Sequence, residues 1–209
     1  MKVSLDFDDF SVYNHRLDVL LQLKDFYPNL KVSMFTIPFD YVNEMSPSQR
    51  IMREDNLKKI RENLDWIQII PHGLCHFPNE FEKCDRWTMK MSLQGIKEAF
   101  ERDNLPFEKG FKAPFWLWNQ EVVDVLNEEG WWGAIDRNQP DMLKTKRFYK
   151  YNHSVDEIFW EYDDEILKLH GHMTPPSNNN LEDCMPNLLH IDPKAEFHFI
   201  TDFLEDEKI

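Results

Sequence analysis

Strand-like and helix-like patterns alternate along this chain at short spacing, and that alternation limits its fold more than any other feature. Residues 2–7 alternate, with Val3, Leu5 and Phe7 on one face, as in a strand that buries that face. Residues 14–26 then carry Leu17, Leu20, Leu21 and Leu23 at helical spacing, and Pro28 with Asn29 ends that segment. The same reading gives strands over 31–37, 66–70, 111–113, 131–135 and 165–169, and helices over 48–64, 87–102, 120–129 and 193–204. Gly130 is placed to cap the helix at 120–129, and Pro193 suits the first turn of the last helix. Strands separated by helical crossovers pair in parallel. The chain of 209 residues therefore reads as one α/β domain, 1–209, large enough for its own core. The stretch 174–180 reads as a surface loop, too short to link two domains.

Residues able to do chemistry fall at the C-terminal ends of those strands. Asp8 and Asp9 follow the first, His72 the third, Lys112 the next, Asp136 another, and His170 and His172 the last. In barrels of parallel strands that end is where active sites assemble. Two adjacent carboxylates point in different directions, so one can bind a cation while the other stays free as a base. In HGLCH, His72 and His76 stand four apart, a spacing that brings both imidazoles to one ion if the segment makes a helical turn. Cys75 then faces elsewhere and reads as packing. Two histidines and a carboxylate form a ligand set that leaves an open position on a catalytic metal. Lys112 can hold a neighbouring carboxylate ionised, and Trp116, Trp118 and Trp132 offer aromatic walls for a ring-shaped substrate. A carboxylate such as Asp136 can orient a histidine, and a histidine at a strand end can act as general acid. His170 and His172, two apart on a strand, face the same side, so either can fill that role.

Composition removes several classes of partner. A net charge of −14 disfavours nucleic acid, whose binding needs cationic side chains to displace counterions, and disfavours anionic membrane surfaces. It leaves a neutral or cationic substrate open. Arg137, Lys144, Lys146 and Arg147 form a short basic run that reads as solvated surface. The three cysteines include no CxxC pair, which argues for a reducing compartment and against a disulfide framework. The N-terminal residues carry no apolar run of signal-peptide length, and nothing approaches the roughly 20 apolar residues of a membrane span. A cytoplasmic location is the expectation.

Taken in order, these segments resemble the polysaccharide deacetylase superfamily, the NodB-like or carbohydrate esterase family 4 enzymes. DFDD (6–9) resembles the first motif of that family and HGLCH (72–76) its paired-histidine motif. KAPF (112–115) is similar to the third, an Arg-any-Pro-aromatic motif; GWWGAID (130–136) stands in the place of the fourth; LKLH (167–170) is similar to the fifth. The resemblance implies a deformed (β/α) barrel of seven or eight mostly parallel strands. It implies a divalent metal on Asp9, His72 and His76, with zinc first and cobalt, nickel or manganese as alternatives. Asp8 would be the general base and His170 the general acid. Lys112 would stand beside Asp8, Asp136 would orient His170, and the backbone N–H of Phe115 would help stabilise an oxyanion. His172 joins the tryptophans among the substrate-binding candidates. The implied activity is removal of an N-acetyl or related acyl group from a carbohydrate or sugar conjugate. Phe10 stands where the family has glycine, Lys112 replaces arginine without its bidentate fork, and Phe115 lacks a hydroxyl. Those departures keep two alternatives open: cleavage of another non-peptide C–N bond in a small molecule, or an inactive carbohydrate-binding relative.

Overall fold

The computed structural model of the protein describes residues 1–13, 16–39, 46–137, 145–157, 165–174 and 177–206. Strand β1 (Lys2–Phe10) is buried along nearly its whole length. It pairs in parallel with β2 (Val32–Thr36) on one side and β8 (Ile166–His172) on the other. A short strand, β9 (Glu196–His198), takes the remaining edge beside Lys2, Val3 and Ser4. With β3 (Ile67–Pro71) and β7 (His153–Ser154), the sheet order is β3-β2-β1-β8-β7. A second sheet holds β4 (Gly110–Phe111), β5 (Trp132–Ile135) and β6 (Arg147–Lys150) in parallel, with β10 (Glu205–Asp206) antiparallel on β6. A parallel bridge between His72 and Lys112 links the two sheets. The helices are α1 (Leu17–Phe26), α2 (Pro47–Arg61), α3 (Arg86–Arg102), α4 (Gln120–Glu129) and α5 (Leu181–Leu188). The expected α/β class with mostly parallel strands is the one observed.

Two apolar clusters show which way each strand faces. Val3, Leu5 and Phe7 of β1 join Leu20 and Leu23 of α1, Leu93 of α3 and Val122 of α4 in the main core. A fully buried side chain of this size contributes roughly 1.5–3 kcal/mol, so this layer holds the helices on the sheet. The opposite face of β1 is buried too, and it is polar: Ser4, Asp6 and Asp8. It looks toward the second cluster, where Phe35 and Ile70 meet Trp132, Ala134, Tyr149 and Tyr151 of the other sheet. Ser4 Oγ lies 3.2 Å from the Tyr149 hydroxyl, a contact from β1 in one sheet to β6 in the other. Buried polar groups need partners, and here the facing sheet supplies them.

Several elements differ from expectation. Residues 193–204 do not form a helix; they hold β9 and a 3₁₀ turn at Ile200–Phe203. The backbone of β1 at residues 2–4 needs a ladder partner on that side, and burial of Phe197 against the main core fixes the segment there. Helix α5 was not anticipated. It starts where Asn180 Oδ1 accepts the Asp183 N–H at 3.0 Å, a side-chain N-cap. Strands β6 and β7 also went unpredicted. Asn14, within the expected first helix, Lys144 of the basic run, and Pro175 and Pro176 of the expected loop lie outside the described residues.

Candidate metal centre and active site

The register of β1 against β8 builds half of the site. Asp6 stands opposite His170, and Asp8 opposite His172, so the inward carboxylates of one strand meet the inward imidazoles of the next. Strand β8 runs to His172, beyond the expected end at Leu169, which puts both histidines on the same face of the ladder. The ends of β3 and β4 supply the other half, joined at the His72–Lys112 bridge.

Asp9, His72 and His76 form a group able to hold a metal ion: one ligand atom from each lies within 4.8 Å of the others. Asp9 Oδ1 is 3.6 Å from His72 Nε2 and 3.0 Å from His76 Nε2. Burial raises the Asp9 carboxyl pKa, but contacts with His72 and His76 outweigh it and hold the group well below the carboxylate range. His72 Nδ1 donates to the Lys112 carbonyl at 3.2 Å, which leaves Nε2 as the free lone pair facing Asp9. The expected helical turn at HGLCH is absent. Gly73 and His76 both adopt left-handed backbone, at φ 64° and 60°, and this loop sets the two rings 4.8 Å apart. Glu80 holds the loop in place. Its Oε1 accepts from the N–H groups of Leu74 and Cys75, and its Oε2 from that of His76, at 3.2, 3.0 and 3.1 Å. Two nitrogens and one carboxylate oxygen suit a divalent ion of borderline softness.

Beside this triad, Asp8 Oδ2 is ion-paired with Lys112 Nζ, both groups buried. Asp8 Oδ1 is buried and has no hydrogen-bond partner among the described residues, leaving one carboxylate oxygen available. Burial opposes the Asp8 charge, yet the Lys112 ammonium and the surrounding histidines bring its pKa down to about 2. Burial lowers the Lys112 pKa, even against the attraction of Asp8 and Asp6. Lys112 is 1% exposed. Its Nζ also lies 3.3 Å from His170 Nε2 and 3.6 Å from the centre of the Trp116 ring.

The structure reassigns the partner of His170. Its Nδ1 donates to Asp6 Oδ1 at 2.6 Å, and the Tyr149 hydroxyl donates to the other Asp6 oxygen at 3.1 Å. Asp136, the expected partner, instead accepts from the Tyr151 hydroxyl at 2.9 Å. The Tyr151 ring packs 4.7 Å from His170, so Tyr151 stands between Asp136 and His170. The reason is geometric: Asp6 is in register with His170 on the neighbouring strand, while Asp136 follows β5 in the other sheet. His172 Nδ1 donates to Asn179 Oδ1 at 2.8 Å, and burial lowers its pKa.

The aromatic candidates divide. Phe115 is 54% exposed and its ring lies 5.1 Å from that of His76, at the rim of the candidate metal group. Trp116 covers Lys112 and packs against His170. Trp118 and Trp132 are each only 5% exposed, which corrects their assignment as substrate platforms. The Trp118 ring packs over Gly133 and the Trp132 ring over Gly110, in spaces a Cβ would fill. Both rings are core. The sequence reading missed Asp6, Glu80, Tyr151 and Asn179. Asp6 was detectable in principle, because it shares the inward face of β1 with Asp8 by strand periodicity.

No protein-family model and no curated protein sequence matches the chain. Solved structures do. The Bc1960 peptidoglycan N-acetylglucosamine deacetylase aligns with TM-score 0.61 at 13% identity, covering 96% of this chain and 86% of its own. A family 4 acetyl xylan esterase from Clostridium thermocellum, in complex with a cobalt ion, gives 0.60 at 15% identity, with 97% and 89% covered. BA3943, a family 4 pseudoenzyme from Bacillus anthracis, gives 0.55 at 16% identity. The alignment takes in 94% of the present chain but only 63% of BA3943, and 66% of a mutant form of it. The chain has the fold of the family 4 carbohydrate esterases and NodB-like deacetylases. Among the described residues, no helix is long and apolar enough to cross a membrane.

Proposed function

We propose that this protein is a metal-dependent hydrolase that removes an acyl group, N-acetyl first, from a carbohydrate or sugar conjugate. One observation carries the reading: the Asp9, His72 and His76 ligand atoms converge beside Asp8, whose Oδ1 is buried and without a hydrogen-bond partner among the described residues. Asp9, His72 and His76 hold the divalent ion, zinc before cobalt, nickel or manganese. When bound, the ion supplies Lewis acidity, polarising a carbonyl oxygen and lowering the pKa of water from 15.7 to about 7.

The chain's own groups supply the rest. Lys112 occupies Asp8 Oδ2 and keeps the carboxylate ionised, so Oδ1 is the oxygen that takes the proton from the attacking water. Asp6 accepts from His170 Nδ1 and fixes the ring, so Nε2 faces the site and, when protonated, is the nitrogen that delivers a proton to the departing amine. The N–H of Phe115 assists the oxyanion, and the exposed Phe115 ring with His172 contacts the substrate. One carboxylate with a low pKa and one imidazole let a base and an acid work at the same pH.

The binding-only alternative draws support from the pseudoenzyme among the structural neighbours. Retention of Asp8, His170 and the complete metal triad favours an active enzyme. The test is acetate release from N-acetylated chitooligosaccharides by zinc- or cobalt-loaded protein, with metal content measured in parallel for the parent and the His72→Ala, His76→Ala double variant. Turnover that needs the ion and disappears in Asp8→Asn supports the proposal. Tight sugar binding without turnover by metal-loaded parent selects the binding-only reading. Cleavage of linear or cyclic amides in place of sugars selects the other C–N hydrolase.

A further inference from the structure

The metal triad does not exhaust the ligating groups in this centre. Asp8, His170 and His172 form a second cluster, with one ligand atom from each again within 4.8 Å of the others. Both imidazoles are fixed from behind: His170 Nδ1 donates to Asp6 at 2.6 Å and His172 Nδ1 to Asn179 at 2.8 Å. An oxygen acceptor on the far ring nitrogen is how metal-ligating histidines are held. The two Nε2 atoms face Asp8 Oδ2 at 3.8 and 3.7 Å. The first triad repeats this plan, with His72 tied behind to a carbonyl and its Nε2 facing a carboxylate. Asp8 stands between the two groups, since its Oδ2 is also 3.7 Å from His72 Nε2. Paired sites of this kind in other hydrolases hold two ions roughly 3.5–4 Å apart.

One feature breaks the symmetry. Lys112 Nζ is ion-paired with Asp8 Oδ2 and within 3.3 Å of His170 Nε2, inside the second cluster. Its stem is buried and Trp116 covers the ammonium, so the charge is pinned there. A dication at the same point would meet that ammonium at contact distance, where like charges in a water-poor interior repel strongly.

We infer that Lys112 fills the second cation position of a two-cation site. The centre then takes one exchangeable divalent ion and carries its other positive charge on the chain. Removing the ammonium opens Asp8, His170 and His172 to a second ion. This rests on the proposed metal role of Asp9, His72 and His76, and it adds what sets the stoichiometry.

The experiment titrates metal-free protein with Zn²⁺ by calorimetry and with Co²⁺ by visible absorption, and counts ions retained after desalting. The parent should bind one ion, Lys112→Ala two, Lys112→Arg one, and Lys112→Ala combined with His172→Ala one. Lys112→Met, which keeps most of the stem, replaces Lys112→Ala if the latter does not fold, and should also gain the second ion. A parent that binds two ions overturns the inference without any variant. So does a folded Lys112→Ala or Lys112→Met protein that binds only one. A parent that binds none defeats the metal reading itself, a result distinct from failure at Lys112 alone.

Discussion

Glu80→Gln isolates the loop that presents His76. The carboxylate accepts three backbone N–H groups, two on Oε1 and one on Oε2. Glutamine keeps one oxygen for Leu74 and Cys75 but turns an NH₂ group toward the N–H of His76, so that donor loses its acceptor. A hydrogen bond to a charged group contributes about 1.5–3 kcal/mol, and each 1.4 kcal/mol is tenfold in affinity. If the cost falls on the left-handed backbone of His76, Zn²⁺ binding should weaken by roughly 10- to 100-fold, the usual range for partners that support metal ligands. The assay is competition against a fluorescent chelator, with circular dichroism to show that the metal-free variant is folded. Glu82→Gln, at an exposed position in the same loop, should leave affinity unchanged. Equal affinities for parent and Glu80→Gln would refute the argument, because His76 would then hold its pose without this acceptor.

Three further outcomes follow from the same geometry. Asp6→Asn should lower kcat by about 100-fold or more, within the range that general acid–base groups supply, while metal stoichiometry stays at the parent value; an unchanged kcat would return the positioning role to Asp136. Asp8 is held at about 2 against an ordinary 3.8, so its stabilisation is present above pH 4 and is lost as pH falls through 2. Acid-unfolding scans should therefore show the margin of parent over Asp8→Asn shrinking by about 2 kcal/mol as pH falls from neutral through 2; a gap independent of pH would contradict this. Gly133→Ala would push a Cβ to 2.6 Å from the Trp118 ring and 2.7 Å from Thr145 Cγ2, so thermal melts should report a loss of about 1–3 kcal/mol. An unaltered melting temperature would mean that the Trp118 ring is not locked in the core.

Much of the architecture was legible because strand and helix periods differ and the reactive residues sit at strand ends. β1, β2, β3 and β5 fall close to the expected ranges. What sequence spacing could not supply was which strands become neighbours. Hydrophobic alternation in β1 marks Val3, Leu5 and Phe7, while Asp6 matters only through its register with β8. The i, i+4 spacing of His72 and His76 suggested a helical turn, but a glycine and a left-handed histidine make a loop that Glu80 must hold. Trp118 and Trp132 read as ligand platforms in sequence, but Gly133 and Gly110 leave room for their rings in the core. Pro186 inside α5 obscured a helix that its Asn180 cap alone did not announce.

Asp9, His76, Phe115 and Trp116 all have φ near 60°, a region that non-glycine residues occupy at a cost of order 1–3 kcal/mol each. Two belong to the candidate metal triad and two border it and the lysine, so four of the left-handed non-glycine residues among the described residues fall at the candidate site. That coincidence sets a direction for laboratory evolution. Selection for heat resistance alone should enrich glycine or asparagine at Phe115, whose side chain is exposed, where relief of strain is available and no candidate metal ligand is lost. The proteins so obtained would melt later and turn over more slowly, because stability gained at this position comes from the backbone that shapes the site.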